Sequence, residues 1–508
     1  MFRHVPAPDI RFKRFTQPER LRGLRILRNV VMCVLSLKVS AQDVSIIYGG
    51  PNNGQNLRQQ AIPSDFLGIS LESSSVVSTG SGKPQWLNGH PSPFLTLLRT
   101  TGIRSIRIGG NSAERTGYPS LQDAAGVNDF IQALHGSLLW VLPAKDNEYS
   151  VGTPAQYATF AVAMETDRRR KGYTFPISFL ISNEPDLYMK GRGNNADSPI
   201  VPYEIYEERF QNYKTLLRSS KGGPTVSGPS FAKDPSYAVR LAQNLTPRGV
   251  GYITGHTYPL GAAGSHGENN SDEAVKALLT DNHAKYQAYY DKWGAPAAAL
   301  GYHTRIDETN SMYFSGSNQD LLHEYAAALW VLDYLCYDAT HTDLGGMNLH
   351  NGPIGSNGYN TFSPIGPASH YRLSAVGYGM FAFSRGSHGI PTNAEVTENP
   401  AKLDLSTYAV HASDDSTFLY VINRTLAATA GDATVSIPSG RYTHIDVMYL
   451  KQTSSDVRAE DGITLGGQPV RPDGTWKGHY DVGGKRPQGG KFRFTVPHLE
   501  AAIVHLTR

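Results

Sequence analysis

The sequence predicts an α/β fold: a (β/α)8 TIM barrel with a C-terminal β-sandwich domain. Three observations carry this prediction. Eight strand-like runs alternate with stretches of helical length over residues 62–387, the rhythm of a closed parallel barrel. No glycine-rich phosphate loop follows the first of these strands, which disfavours a doubly wound open sheet. After residue 388 the rhythm changes to short strands separated by turn residues, with no helix of length between them.

In chain order, residues 1–41 read as an export signal with a long basic lead. Arginines up to Arg28 precede the apolar run NVVMCVLSL, and Val39-Ser40-Ala41 fits a small-residue cleavage site. That run is too short for a spanning helix, so no membrane anchor is expected after cleavage. The expected location is secreted or periplasmic. Cys33 lacks the small preceding residue of a lipidated cysteine, and cleavage leaves only Cys336, which excludes an intrachain disulfide. Sequons stand at Asn244, Asn269 and Asn423 and matter only in a glycosylating host.

Residues 42–61 contain a β-branched run that precedes the barrel and is expected to add a strand to the β-domain. The barrel strands are expected at 65–72, 103–110, 137–144, 177–184, 224–230, 251–258, 298–305 and 345–352. Helices are expected at 154–172, 203–221, 271–293 and 318–338. The charge run METDRRRKG at 164–172 reads as solvated surface. Residues 388–508 form the sandwich, with strands in STYAVHASDDSTFLYVINR, ATVSIPSG, YTHIDVMYL and KFRFTVPHLEAAIVHLTR.

Charge excludes one class of partner. Of 47 Lys/Arg and 44 Asp/Glu, nine and two fall in residues 1–41, leaving 38 and 42, a net of −4. The basic balance of the whole chain therefore comes from the leader, and no nucleic-acid partner is expected.

Chemistry in such barrels sits where strands end and βα loops begin. In PISFLISNEPD, Ile177, Phe179 and Ile181 share one strand face, and Ser178, Leu180, Ser182 and Glu184 the other. That parity points Glu184 into the barrel mouth, and Pro185 biases it toward extended geometry and ends the pairing. From this strand alone, Glu184 is equally a rim acid in an ion pair. A second acid, Glu308, follows the seventh strand, across the mouth from the fourth. Two carboxyls on opposite sides of one sugar are the equipment of glycoside hydrolysis. If Glu308 points inward by strict alternation, Arg305 and Asp307 face the helices. Either the strand ends near Thr304 or a bulge intervenes, and the strand end is the preferred reading.

The ordered set FLGISLE, RIGGNS, NEPD, HTYPL and ETNSMY resembles glycoside hydrolase family 79, the β-glucuronidase and heparanase-like family of retaining (β/α)8 glycosidases. The likeness covers most of residues 62–385. It implies Glu184 as acid/base, Glu308 as nucleophile and Asn183 as the partner of the sugar 2-hydroxyl. It further implies that Glu72 and Asn111 hold sugar hydroxyls and that Tyr258 lies near the nucleophile. Tyr313, Tyr359 and the amides of Ser315 and Gly316 would recognise the substrate carboxylate, although the family commonly has glycine where this chain has Ser315. The implied substrate is a carbohydrate with terminal glucuronic acid, cleaved in the exo mode with no cofactor.

His256, His303 and His350 each stand near a strand tip. Without HxH or HExxH spacing they read as polar supports of the acid pair, and no metal is expected. No GxSxG follows a strand, which argues against serine hydrolysis. Two rivals stay open: endo-β-glucuronidase action on acidic polysaccharide, which the near-neutral charge mildly disfavours, and a catalytically inactive glycan-binding protein.

Overall fold

The structure is a computed structural model. It describes residues 41–49, 57–77, 87, 92–114, 118–144, 152–188, 202–218, 224–262, 272–313, 323–352, 359–365, 370–426, 431–454 and 456–508. Residues 1–40 with Cys33, where an export signal is expected, the sequon at Asn269, and Ser315 and Gly316 lie outside the described residues.

Strand β1 (Gln42–Tyr48) precedes a closed parallel barrel. Its staves are β2 (Leu67–Glu72), β3 (Ser105–Gly109), β4 (Ser137–Leu142), β5 (Ile177–Ile181), β6 (Thr225–Phe231), β7 (Val250–Thr257), β8 (Thr304–Thr309) and β9 (Leu344–Asn351). Pairing of β9 with β2, in the register Leu67↔Met347 to Leu71↔Asn351, closes the ring. Most staves are buried on both faces, as a parallel sheet wrapped by helices requires.

The wrapping helices are α1 (Pro93–Thr101), α2 (Leu121–Leu134), α3 (Pro154–Arg170), α4 (Tyr203–Arg218), α5 (Ser236–Asn244), α6 (Asp272–Leu279), α7 (His283–Ala299), α8 (Tyr325–His341) and α9 (Ala375–Ser384). Local sequence sets several starts. Ser120 with Asp123, and Thr153 with Gln156, form reciprocal capping boxes at α2 and α3. The charge run at the end of α3 is less solvated than expected: Glu165 is buried and accepts hydrogen bonds from both Arg168 and Arg169.

Element boundaries differ from the sequence expectation most around the seventh stave; the fourth stave also ends early, at Ile181, and α8 spans Tyr325–His341 rather than 318–338. The region 271–293 contains two helices, α6 and α7, and α7 continues to Ala299. The seventh stave therefore starts at Thr304 rather than near residue 298, and it carries both Asp307 and Glu308. Its pairing register shifts between Gly255 and His256 on β7, where Ile306 and then Glu308 are the partners. The bulge, not an early strand end, resolves the parity conflict: Asp307 is the extra residue, and it and Glu308 both turn toward the barrel interior.

Inside the barrel the apolar filling is small: Leu139, Val141 and Leu180 with Ala113, and Tyr252 beside them. Polar groups supply the rest. On the lower layer Arg305 donates to Asn348 at 2.7 Å, and Asn348 in turn donates to the carbonyl of Ile69 at 3.1 Å. Ile177, Phe179 and Ile181 pack outward with the helices, as parity along β5 predicts.

Behind the barrel, β1 lies between strands Ala394–Glu398 and Ala433–Pro438 in a four-stranded sheet completed by Lys491–Val496. A seven-stranded sheet built around Leu405–Ser413, Ser416–Asn423, Ala501–Thr507 and His444–Gln452 faces it. Val44, Ile46, Val435, Ile437 and Phe494 from the first sheet meet Leu419, Val421, Val447, Val504 and Leu506 from the second. Alternation is sharp in Lys491–Val496, where every second residue is buried. A buried ion pair fastens this domain to the barrel. Asp333 of α8 accepts from Arg424 at 2.7 Å through Oδ2 and from Tyr408 at 2.8 Å through Oδ1, and His283 Nε2 lies 3.0 Å from Oδ2.

Candidate active site

The C-terminal ends of the staves bring together all eight of the expected site residues that lie among the described residues. Glu72 ends β2 and Asn111 follows β3. Asn183 and Glu184 follow β5, and Tyr258 follows β7. Glu308 lies in β8, Tyr313 follows it, and Tyr359 follows β9. An oxygen of Glu184, a ring nitrogen of His256 and an oxygen of Glu308 lie within 4.8 Å of one another.

Glu184 reaches this position by a route that strand parity misses. Stave β5 stops at Ile181; Ser182 has φ 81° and Glu184 has φ 52°, ψ 54°. The acid is therefore in the left-handed region, not in the extended geometry expected of a residue before proline. Tertiary contacts hold it there. Glu184 N–H donates to the carbonyl of Ser230 at 3.0 Å. Asp186, two residues on, accepts the amides of Ala232, Lys233 and Asp234 at 2.9, 2.6 and 2.8 Å. The NEPD turn thus locks the loop after β6 against the end of β5.

Arg107 is the hub of the site. Fully buried in β3, it donates to Glu308 at 2.5 Å, to Asn183 Oδ1 at 2.6 Å and to Ser70 at 2.9 Å, and it lies 3.5 Å from Asp307. Tyr258 O–H donates to the other oxygen of Glu308 at 2.8 Å. Burial alone would raise the Glu308 carboxyl, but His350, His256 and Arg107 with the Tyr258 hydrogen bond hold it well below the usual carboxylate range. Glu308 is thus fixed as an anion with both oxygens oriented.

His256 stands between the acids. Its Nδ1 is 3.1 Å from Glu184 and 3.9 Å from Glu308, and its Nε2 is 3.4 Å from Asp307. Burial would lower its pKa; the charges of Glu308 and Asp307 and the hydrogen bonds to Asp307 and Glu184 outweigh that and lift it to about 10. Among the described residues, Glu184, His256 and Glu308 are the one grouping with metal-ligand proximity.

The rest of the rim is polar on one side and aromatic on the other. Glu72 accepts the Ser112 amide at 2.8 Å and the Ser112 hydroxyl, and lies 3.8 Å from His350. Gly110, at φ 69°, permits this: a Cβ there would collide with the Glu72 carboxylate. Asn183 Nδ2 approaches Asn111 Oδ1 at 3.5 Å. Opposite, Tyr258 meets Tyr313 edge-on at 6.1 Å and Tyr359 at 5.7 Å, and Tyr359 meets His350 at 4.8 Å. Tyr313 is 42% exposed, open to a ligand at the mouth.

Of the three histidines noted in the sequence, His256 and His350 join the site. His303 does not: it precedes β8, is exposed, and lies at the opposite end of the barrel. Arg107 and Asp307 are site residues that sequence reasoning missed. Arg107 had a legible signal, since it shares strand parity with Ser105 and Gly109 on the inward face of β3. Asp307 had none, because the bulge that turns it inward leaves no periodic mark.

No protein-family model matches the chain, and no curated protein matches it. Solved structures do. A 4-O-α-L-rhamnosyl-β-D-glucuronidase from Fusarium oxysporum 12S superposes with a TM-score of 0.67 at 16% identity, covering 92% of this chain and 100% of that one. A family 51 α-L-arabinofuranosidase from Bifidobacterium longum gives 0.59 at 11% identity, and a Paenibacillus polymyxa xyloglucanase of glycoside hydrolase family 44 gives 0.58 at 12%. Each covers 92% of this chain and 100% of its own. At these identities the likeness establishes the fold, a (β/α)8 barrel with an added β-domain found among glycoside hydrolases.

Proposed function

We propose that this chain is a retaining, exo-acting β-glucuronidase of the family 79 type, removing terminal β-linked glucuronic acid by double displacement. The observation that carries the reading is that one oxygen of Glu184 and one oxygen of Glu308 lie within 4.8 Å of each other at the barrel mouth, so that both carboxyls can reach a single anomeric centre. Retaining enzymes hold their two carboxyls about 5–5.5 Å apart, whereas inverting enzymes leave room for a water between them.

In the first step Glu308 attacks the anomeric carbon as Glu184 gives its proton to the glycosidic oxygen, which leaves with the bond's electron pair. In the second, water attacks the same carbon, its proton passes to Glu184, and the bond to Glu308 breaks. The structure suits these roles. Glu308 is the acid held as an anion by Arg107 and Tyr258, and Glu184 is the more open of the two, its side chain 17% exposed against 8%.

The glucuronate preference rests on Tyr313 and Tyr359 gathered around Tyr258, where phenolic donors would meet a substrate carboxylate without Lys or Arg. The basic leader with its cleavage pattern supports a secreted or periplasmic enzyme.

Turnover of chromogenic β-glucuronide, β-glucoside and β-galacturonide, measured side by side, tests the reading. Preference for the glucuronide, with turnover lost in Glu184→Gln and Glu308→Gln, is the expected result. Preference for the glucoside removes the carboxylate assignment. Binding without turnover of any of them makes the protein a lectin, and cleavage only within acidic polysaccharides makes it endo-acting.

A further inference from the structure

We propose that Asp307 is a positioning residue for hydrolysis: through His256 it orients the Glu184 carboxyl and holds a positive charge beside it. The proposal rests on the assignment of Glu184 as acid/base. Its basis is a line of three buried or part-buried groups. Asp307 Oδ2 lies 3.4 Å from His256 Nε2, and His256 Nδ1 lies 3.1 Å from Glu184 Oε1. Asp307 is fully buried, aimed by the Ser230 hydroxyl at 2.8 Å, and its Oδ1 has no hydrogen-bond partner among the described residues. A buried carboxylate with an unsatisfied oxygen is costly to fold. The bulge in β8 turns it inward, where its Oδ2 faces both the Arg107 guanidinium at 3.5 Å and the imidazole beside the acid/base at 3.4 Å.

The groups around His256 come from four elements. Glu184 faces it from the end of β5, Asp307 and Glu308 from β8, and Arg107 from β3 at 3.4 Å. The Tyr289 hydroxyl of α7 donates to the His256 backbone carbonyl at 2.6 Å. His350 and Glu72 lie one contact further out, around Glu308. The Glu308 and Asp307 carboxylates, with the hydrogen bonds to Asp307 and Glu184, outweigh burial and the Arg107 cation, so the imidazole is held charged. When Glu308 loses its charge on bonding to the sugar, Asp307 remains, and His256 stays a cation through both steps without giving up its proton. Asp307 and His256 together form a dipole whose positive end lies on Glu184. It steadies the carboxylate that Glu184 becomes after protonating the leaving group, and keeps Glu184 ready as the base for water.

Histidine NMR on the full chain, with the His256 signal assigned by its loss in His256→Gln, tests the proposal without any substrate. An imidazolium signal for His256 at pH 8 is expected in the native protein, and a neutral one in Asp307→Asn. A neutral His256 in the native protein overturns the proposal, even if the variant fails to fold. In kinetics, Asp307→Asn should move the alkaline limb of kcat/KM, because it removes the positive charge held against the acid/base. A uniform loss of rate with an unmoved limb marks a purely structural residue and also overturns it. Cleavage of β-glucuronides alongside a neutral His256 sinks this proposal alone; an imidazolium that depends on Asp307 in a protein that cleaves no glycoside sinks only the glycosidase reading.

Discussion

The guanidinium of Arg107 and the carboxylate of Glu308 meet at 2.5 Å, joining β3 to β8 across the barrel mouth. Removing the cation leaves Glu308 and Asp307 buried beside each other with one fewer compensating charge. Breaking a buried pair in this way costs about 3–5 kcal/mol. Arg107→Met is therefore expected to lower urea-unfolding stability by that order and to abolish turnover. A variant with native stability and activity contradicts the hub assignment.

Tyr258 tests orientation of the nucleophile without touching the fold as severely. Its hydroxyl gives Glu308 a charge-assisted hydrogen bond at 2.8 Å. Such bonds are worth about 1.5–3 kcal/mol, or roughly 10- to 100-fold in rate if the bond strengthens the transition state. Tyr258→Phe should lower kcat within that range while circular dichroism stays native. An unchanged kcat would leave Tyr258 as aromatic lining alone.

His256 makes stability depend on pH in a definite direction. Its folded pKa is raised, to about 10 from 6.5. The stability it contributes is therefore complete below pH 6.5 and is lost as pH rises toward 10. Urea unfolding of the native protein between pH 6.5 and 10 should show this decline. In His256→Gln the decline over the same interval should be shallower. Parallel curves for the two proteins contradict the charged imidazole.

The barrel was legible because its staves are short apolar runs with β-branched residues, and parity along β5 correctly sorted Leu180 from Ile177, Phe179 and Ile181. The motif residues were legible as well, since Glu184 and Glu308 fall at stave ends. The backbone that aims them was not. Glu184 is turned by left-handed geometry at Ser182 and at Glu184 itself, and Asp307 by a bulge. Both depend on long-range partners, Ser230 and the β7 register, which leave no periodic trace in their own strands. The extension of α7 to Ala299 was hidden because Pro296, a strong breaker, lies inside the helix.

Asp186 offers a structural test of the NEPD turn. Its carboxylate takes three amides from residues 232–234, so Asp186→Ala strands donors at the end of β6. A fall in thermal stability of several degrees and a raised KM are expected, with partial recovery in Asp186→Asn, which keeps one acceptor oxygen. Thermal unfolding and steady-state kinetics on both variants check this. Equal loss in the two points to the charge rather than the geometry of the contact.

The stereochemistry of hydrolysis bears most directly on the acid pair. Proton NMR of glucuronic acid released from a β-glucuronide, recorded before mutarotation equilibrates the anomers, reads it in one experiment. The β-anomer appearing first is the result predicted by a close acid pair, one oxygen of each within 4.8 Å of the other. The α-anomer appearing first would mean that water, not Glu308, attacks the sugar, and would contradict the double displacement.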